Sequence, residues 1–250
     1  MSNTMDSQIE RLANRAEQLL HKMRNDQRLL IAIAGIPGSG KTTLAEILAK
    51  RLNFNHAQHS SEITSPHYKK IAITLPMDGF HLTRAQLSAM PDPEMAHARR
   101  GAEFTFDGKG FYELVKELRR PITSESTATV WAPSFDHAVK DPVEMGIEVP
   151  REARVIIFEG NYLLLDQKPW SDAAKMMDLK FFVRVPFDVA TERLVKRHLA
   201  AGLAATEEEA MKRVVENDLV NGKMIEDLLK EEEVDEFVDS GESKSEGVHT

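Results

Sequence analysis

The chain has 250 residues, 42% of them hydrophobic, which is enough to bury one substantial core. Its formal net charge is −8, but residues 231–250 hold eight acidic side chains against one lysine, so the rest is nearly neutral. A near-neutral body without a basic stripe argues against nucleic-acid binding. No cysteine is present, and no apolar run has the length of a membrane span, so disulfides, thiolate metal sites and bilayer-crossing helices are not expected. We expect a cytoplasmic protein, either a monomer or a homodimer.

Three regions follow from the patterns along the chain. Apolar side chains recur at helical spacing from Met5 to Met23, so residues 1–27 are predicted to form an amphipathic helix packed on the body. Residues 28–230 alternate apolar runs with helical patterns, which predicts one α/β domain with a mostly parallel sheet covered by helices on both faces. Residues 231–250 are acidic and contain glycine and serine, a composition typical of a disordered tail.

The first apolar run, residues 29–34, leads directly into a phosphate-binding loop and then a helical pattern over residues 41–52. Two glycines five positions apart, followed by lysine and threonine, match the required spacing. Glycines let backbone N–H groups turn towards an anion, and the helix that follows adds the positive end of its dipole. The lysine can reach the β- and γ-phosphates and the threonine hydroxyl can ligate Mg²⁺. The predicted nucleotide-binding residues here are Gly35, Gly38, Ser39, Gly40, Lys41, Thr42 and Thr43.

Acidic residues follow two further predicted strands. Asp78 lies just beyond the strand at residues 71–75, and Glu159 directly follows the strand at residues 155–158. Because ligands bind at the carboxyl ends of parallel strands, both acids are expected near the phosphate loop. Asp78 could align or deprotonate an acceptor hydroxyl, or it could instead cap the next helix. Glu159 together with Thr42 could hold magnesium, or the carboxylate could form a structural ion pair.

Other elements are indicated by similar patterns. Residues 53–70 are polar and are predicted to form a surface connection, in which His56, His59 and His67 lack the spacing of a metal site. The remaining predictions are a short helix over 81–90, a helix over 109–120, strands over 127–133 and 179–185, and helices over 187–199 and 206–230.

Two groups of arginines are candidates for anion binding. Arg193 and Arg197 are four residues apart and share a helix face, which fits either a phosphate-binding lid or a solvated basic face. Arg99 and Arg100 lie in a loop rich in charge and aromatic residues. They could bind an acidic or phosphorylated acceptor, or they could pair with Glu94 and Glu103.

The order of these motifs resembles the uridine kinase, phosphoribulokinase and pantothenate kinase group of P-loop kinases. The resemblance covers most of residues 28–225 and is strongest to the pantothenate-kinase-like and sugar-kinase branch. It rests on Gly35 to Thr42, Asp78-Gly79-Phe80-His81, Arg99-Arg100-Gly101, Phe104 to Asp107, Phe135-Asp136-His137, Glu159-Gly160-Asn161-Tyr162, and Arg193 to Arg197. It departs from uridine kinases at His81 and Phe135, where those enzymes carry tyrosine, so the acceptor stays open.

The resemblance implies a three-layer P-loop NTPase fold with a small helical lid around residues 190–205, using ATP and Mg²⁺. Asp78 would be the catalytic base, Lys41 and Arg197 would act on the phosphates, and Arg193 would belong to the lid. Lining the acceptor pocket would be Phe80, Arg100, His137 and Tyr162.

Two functions of different classes remain open at this point. The leading hypothesis is a kinase that phosphorylates a hydroxyl of a small metabolite, such as a nucleoside, a pantothenate-like compound or a sugar. The alternative is a nucleotide-hydrolysing switch or assembly factor that acts through a protein partner. The lack of a guanine-reading Asn-Lys-x-Asp motif disfavours a GTP switch, although an ATP switch would not need one.

Overall fold

The computed structural model describes residues 4–59, 70–122, 129–136 and 138–241. Its centre is a five-stranded sheet in which every neighbouring pair of strands is parallel. The strands are β1 (Leu29–Gly35), β2 (Ala72–Pro76), β5 (Val155–Gly160), β6 (Leu179–Arg184) and β7 (Glu236–Asp239), in the order β2-β5-β1-β6-β7.

Helices surround the sheet and follow its strands along the chain. Their bounds are α1 (Met5–Lys22), α2 (Lys41–His59), α3 (Arg84–Ser88), α4 (Pro93–Ala98), α5 (Gly108–Leu118), α6 (Trp170–Ala174), α7 (Phe187–Ala200), α8 (Glu207–Arg213) and α9 (Leu219–Asp227). A π-helical segment, Val214–Asp218, joins the last two. No helix among the residues placed here is long and apolar enough to cross a bilayer.

The central strand β1 is buried along its whole length because helices pack on both faces of the sheet. Its side chains alternate between two cores, as a pleated strand requires. Leu29, Ile31 and Ile33 face the core that contains Leu12 of α1 and Leu48 of α2. The intervening side chains face the second core, which contains α5 and α6. These layers confirm the predicted α/β fold.

Strand register places the functional ends of three strands at one edge. In β5, Glu159 is level with Ile33 of β1 and with Pro76 of β2, one residue before the turn that carries Asp78. Parallel pairing therefore brings together residues that are more than 110 positions apart in sequence. This is the edge at which ligands bind in open α/β sheets.

A separate antiparallel hairpin lies outside the central sheet. It consists of β3 (Val130–Asp136) and β4 (Asp141–Val149), with an irregular register between Ala132 and Ser134. The strand predicted over 127–133 therefore belongs to this hairpin, shifted towards the carboxyl end, and residues 127 and 128 lie outside the described ranges. The prediction missed β4 because five of its residues are exposed and the strand has no buried apolar run.

The predicted end of helix α2 was wrong. Helix α2 continues to His59, so residues 53–59 are helical, and the rest of the predicted connection, with His67, lies outside the described ranges. Asn53 explains part of the extension. Its side-chain amide donates to the carbonyl of Ala72 at 2.8 Å, and its side-chain oxygen accepts from the Ala72 N–H at 3.0 Å. These two bonds join the added helical turn to the start of β2.

The predicted disorder of residues 231–250 is also wrong for the part that the structure describes. Residues 236–239 form β7, which pairs with β6 and fully buries Val238. Two acidic side chains around the start of this strand pair with α1, since Arg15 contacts Asp235 at 2.8 Å and Arg11 contacts Glu236 at 2.5 Å. An open strand edge and a basic helix face thus order a sequence that is polar by composition. Residues 242–250 lie outside the described ranges.

Candidate active site

The loop between β1 and α2 has the backbone shape that phosphate binding requires. Gly38 and Gly40 adopt φ angles of +79° and +88°, which side-chain-bearing residues rarely adopt. Helix α2 begins at Lys41, so its N-terminus opens directly from the loop. The Ser39 hydroxyl is buried and has no hydrogen-bond partner among the described residues. The loop therefore offers donors and a helix dipole to an anion, and its residues fit a nucleotide phosphate.

Lys41, Thr42 and Glu159 meet where the sequence analysis placed them. The Thr42 hydroxyl donates to Glu159 Oε2 at 3.1 Å, and Lys41 Nζ donates only weakly to the loop carbonyl of Ile36 at 3.4 Å. Burial raises the pKa of Glu159, an effect that the nearby Lys41 opposes. Burial also lowers the pKa of Lys41, against the attraction of Glu159 and Asp78. These opposed shifts show that a lysine and a carboxylate share one desolvated space.

Thr42 and Glu159 together offer two oxygen ligands. This number suits Mg²⁺, whereas a metal ion held by protein side chains alone would need more. No group of three or more histidine, aspartate or glutamate side chains forms a metal cluster within the described ranges. Mg²⁺ characteristically takes one or two protein oxygens and completes its shell with phosphates and water. The residues present therefore match an ion that arrives with a nucleotide.

Asp78 lies on a short 3₁₀ helix, Met77–Phe80, that directly follows β2. Pro76 occupies the N-cap position, so Asp78 does not cap this helix. Gly79 is required next to it, because a Cβ atom there would lie 2.1 Å from the carbonyl oxygen of Pro133 in the hairpin. The hairpin thus packs closely against the 3₁₀ helix, and Asp78 lies in the wall of a cleft that Lys41 and Glu159 also line.

This cleft, which we call the catalytic cleft, has a volume of about 500 Å³. Residues of the phosphate loop and the strand ends form its floor, the hairpin and residues 97–106 form one wall, and helices α7 to α9 form the roof. Its lining includes Lys41, Thr42, Asp78, His81, His97, Arg100, Phe106, Phe135, Lys140, Glu159, Asn161, Arg197, His198, Arg213, Asn217 and Asp218. The predicted base, Asp78, and the predicted phosphate-binding residues Lys41 and Arg197 therefore line the same cleft.

Two predicted acceptor-pocket residues do not line the cleft. Tyr162 is fully buried, and its hydroxyl donates to the carbonyl of Gly101 at 2.7 Å, while burial raises its pKa. Phe80 packs edge-on against Phe111, with ring centroids 5.4 Å apart. Both aromatic rings belong to the core, since a local sequence pattern does not say which of several neighbouring rings is turned inwards.

Other aromatic residues take the place of these two in the cleft wall. His81, the neighbour of Phe80, stacks on Phe106 at 4.0 Å and on Phe135 at 4.8 Å between ring centroids. The sequence analysis noted all three positions without assigning them to the pocket. His137, the remaining predicted pocket residue, lies outside the described ranges.

Arg100 lines the cleft as predicted, but its contacts differ from those considered. Its guanidinium pairs with Asp141 at 3.0 Å, donates to the carbonyls of Leu82 and Lys140, and lies 5.6 Å from the ring centre of Phe135. The alternative considered for both arginines, pairing of Arg99 and Arg100 with Glu94 and Glu103, is not found among the residues that the structure describes.

The neighbouring charged residues have other partners. Arg99 instead donates to the side-chain oxygens of Asn217 and Asn221, at 2.9 and 2.8 Å. Glu103 accepts from the indole N–H of Trp170 at 2.7 Å. Of the two arginines, only Arg100 therefore belongs to the cleft.

The two arginines of α7 have different partners although they share a helix face. Arg197 lines the cleft, with 59% of its side chain exposed and a long contact of 3.9 Å to Asp218. Arg193 does not line it. Its guanidinium donates to the carbonyl of Gly38 at 3.3 Å and to Ser240 Oγ and O at 2.9 and 2.7 Å. Arg193 thus connects the phosphate loop to the end of β7.

A buried pair in the roof was not assigned from the sequence. His198 Nε2 lies 2.8 Å from Asp218 Oδ2, and only 4% of the histidine side chain is exposed. Asp218 ends the π-helical segment, where the wider turn directs Asn217 and Asp218 inwards. The residues between Thr206 and Lys230 were predicted as one regular helix, and no sequence signal marked the π turn.

These features define a P-loop kinase: a parallel sheet, a phosphate loop after its first strand, a carboxylate at each of two neighbouring strand ends, and an arginine-bearing helix across the cleft. The model of the Phosphoribulokinase / Uridine kinase family matches residues 30–208. The chain belongs to this family and is a small-molecule kinase.

Relatives of known sequence or structure agree with this assignment. A Schizosaccharomyces pombe protein provisionally named a uridine kinase is 47% identical over 220 residues, which cover 88% of this chain and 86% of that protein. The crystal structure of YFH7 from Saccharomyces cerevisiae, described as a circularly permuted P-loop kinase, aligns with a TM-score of 0.80 and 26% identity over 92% of this chain and 98% of that chain. A provisionally named fructose transport system kinase from Silicibacter sp. TM1040 aligns with a TM-score of 0.72 and 35% identity over 90% and 98% of the two chains.

Proposed function

We propose that the protein transfers the γ-phosphoryl group of ATP to a hydroxyl of a small metabolite, with Mg²⁺ bound and with Asp78 as the base. The observation that carries the proposal is the position of Asp78. It faces the same cleft as Lys41 and Glu159, near enough for its charge to act on both. A carboxylate there can accept a proton beside the phosphate site.

The chain's own residues divide the work between the two substrates. The phosphate loop holds the β- and γ-phosphates, Lys41 neutralises their charge, and Thr42 with Glu159 orients the metal. Arg197 is exposed enough to close on the transferring group from the roof. Bound Mg-ATP would supply the phosphoryl group and a counter-charge for it. The acceptor oxygen then forms the new P–O bond as the β–γ bond breaks, its proton passes to Asp78, and ADP leaves.

The related proteins support a hydroxyl-bearing acceptor. Of the three relatives described above, one has a name that refers to a nucleoside and another has a name that refers to a sugar. Both compounds present alcohol groups of the kind that a strand-end aspartate can deprotonate. The aromatic and histidine wall of His81, Phe106 and Phe135 would enclose such an acceptor and exclude water.

The test is to incubate the purified protein with Mg-ATP and a panel of nucleosides, sugars, polyols and pantothenate-like alcohols, and to detect phosphorylated products. Asp78→Asn should lower acceptor phosphorylation by about a hundredfold or more while ATP affinity stays unchanged. Asp227→Asn is the matched control, since Asp227 is an exposed carboxylate that contacts Lys223 on the same helix. ATP hydrolysis without any phosphorylated acceptor, and equal in both variants, would instead indicate a nucleotide-dependent switch.

A further inference from the structure

The roof of the catalytic cleft contains a buried hydrogen-bonded pair that the phosphoryl-transfer steps do not use. His198 Nε2 donates to Asp218 Oδ2 at 2.8 Å, and 4% of the histidine side chain and 12% of the aspartate side chain are exposed. The other ring nitrogen of His198, Nδ1, has no hydrogen-bond partner among the described residues. Within that part of the chain, Asp218 is therefore the polar group that fixes the orientation of the ring.

The same carboxylate approaches the arginine next to this histidine. Asp218 Oδ1 lies 3.9 Å from the guanidinium of Arg197, the only ion pair of Arg197 within the described ranges. The Arg197 side chain is 59% exposed, so it keeps many rotamers unless a partner restricts them. Because Arg197 and His198 are consecutive on α7, one carboxylate from the π-helical segment contacts both the helix and its arginine.

The charges of Arg197 and Asp218 reach the phosphate site. Both residues line the cleft with Lys41. Burial lowers the pKa of Lys41, and among the weaker influences Arg197 lowers it and Asp218 raises it. A carboxylate at this distance repels nucleotide phosphates, since both are negatively charged. Its presence near the phosphate site therefore points to a role other than contact with the nucleotide.

The π-helical segment is anchored to the opposite wall of the cleft. Asn217, the residue before Asp218, donates to the carbonyl of Arg100 at 3.2 Å and accepts from Arg99 Nε at 2.9 Å. Arg99 also donates to Asn221, four residues further along, at 2.8 Å. Both asparagines are buried, so breaking these bonds would leave polar groups unsatisfied. The wider turn directs Asn217 and Asp218 inwards together, and the wall that holds the first therefore also fixes the second.

We propose that Asp218 is a positioning residue for phosphoryl transfer. Through its contacts with His198 and Arg197, it holds the guanidinium of Arg197 where charge develops on the transferred group, and it does not itself contact the nucleotide. The proposal rests on the kinase function proposed above and extends it to a residue outside the phosphate loop. A guanidinium held in place stabilises the transition state without being ordered during the reaction.

Removing the charge of Asp218 tests the proposal. Asp218→Asn should lower kcat for transfer from Mg-ATP about tenfold and leave the KM for ATP within about twofold, because the phosphate loop and Lys41 bind the ground state. Glu216→Gln is the matched control and should not change kcat, since Glu216 is an exposed carboxylate on the same π-helical segment. Urea unfolding of each variant shows any general loss of stability.

A double-mutant cycle separates positioning from a structural role. Arg197→Ala removes the group that Asp218 holds, so adding Asp218→Asn should lower kcat by less than about twofold further. A structural contribution would instead lower kcat by the same factor with and without Arg197.

His198 gives a second comparison, which decides the question if Asp218→Asn does not fold. His198→Gln keeps an N–H that can reach Asp218 and should retain most of the activity. His198→Phe keeps a ring of similar size without a donor and should lower kcat about tenfold.

Binding provides a readout that needs no acceptor. Calorimetry compares ADP alone with ADP in the presence of Mg²⁺ and aluminium fluoride, which imitates the phosphoryl group during transfer. Asp218→Asn should weaken binding of the fluoride complex about tenfold and leave the binding of ADP unchanged. Glu216→Gln should bind both as the parent protein does.

The outcomes for the two proposals are distinct. Phosphorylated acceptor, with equal effects of Asp218→Asn in the presence and absence of Arg197, would refute the positioning role and keep the kinase function. Weaker binding of the fluoride complex in Asp218→Asn, without any phosphorylated acceptor, would retain the positioning role and refute the kinase function. Unchanged kcat and unchanged fluoride binding in Asp218→Asn and His198→Phe would refute the positioning role. A parent protein that neither transfers the phosphoryl group nor binds the fluoride complex would refute both.

Discussion

Replacing Tyr162 tests whether this residue stabilises the fold or contacts the acceptor. The sequence resemblance implied that its side chain contacts the acceptor, whereas the structure buries the ring and directs the hydroxyl to the carbonyl of Gly101 at 2.7 Å. Tyr162→Phe removes that hydroxyl and leaves the ring in its aromatic surroundings, so no cavity larger than one oxygen atom forms. The variant therefore tests a single buried hydrogen bond.

The loss of stability depends on whether the Gly101 carbonyl is left without a hydrogen-bond partner. A net hydrogen bond contributes about 1 kcal/mol, and a buried group left without its partner raises the loss to about 1–3 kcal/mol. For a chain of this length each kcal/mol lowers the melting temperature by roughly 2–4 °C. We expect urea unfolding to show this loss with an unchanged m-value. Acceptor kcat/KM should stay within about twofold of the parent at temperatures where both proteins are folded.

Tyr112→Phe is the matched control for this experiment. Tyr112 is half-buried on α5 beneath Lys116, and its ring lies 5.3 Å from the lysine ammonium. Its loss of a hydroxyl should change the free energy of unfolding by less than about 0.5 kcal/mol. A tenfold or larger loss of kcat/KM with unchanged stability would mean that Tyr162 contacts the acceptor. The proposal that His81, Phe106 and Phe135 enclose the acceptor would then be wrong.

Three further predictions concern the cleft and the last strand. Burial raises the pKa of Glu159, so the charged carboxylate destabilises the nucleotide-free protein at neutral pH. The free energy of unfolding should therefore increase as the pH falls towards 4.5, the ordinary pKa of a glutamate. Urea unfolding at several pH values should show that Glu159→Gln removes this pH dependence. Arg197→Ala should lower kcat by about a hundredfold in steady-state assays, whereas Lys212→Ala on the exposed face of α8 should not change it. Val238→Ala should reduce the free energy of unfolding by about 2 kcal/mol, since Val238 is fully buried; an unchanged urea midpoint would mean that β7 is not part of the folded core.

Much of the donor half of the site is local in sequence, which is why the sequence predicted it. The backbone conformation of the phosphate loop depends on its own glycines and on the helix that begins at Lys41. The placement of Asp78 and Glu159 required one further rule, that the carboxyl ends of parallel strands share an edge. Each of these inferences uses only neighbouring residues or the topology of the sheet.

The acceptor half depends on which side chains the folded chain turns towards the cleft. Phe80 and His81 are adjacent, and only packing against the hairpin and α5 decides that the histidine lines the cleft. Arg193 and Arg197 share a helix face, yet the end of β7 accepts hydrogen bonds from the first and leaves the second free to line the cleft. These differences arise from contacts between distant segments, which composition and spacing do not contain.

The same distinction applies to the two ends of the chain. The amphipathic pattern of residues 5–23 by itself predicted α1 and its buried face. Residues 236–239 carry no comparable pattern and become a strand only because β6 offers an open edge and α1 supplies Arg11 and Arg15. The sequence alone thus determined the phosphate loop and the edge of the sheet that holds the site. Tertiary packing decided the aromatic wall of the cleft, since the ring contacts of His81, Phe106 and Phe135 come from segments far apart in the chain.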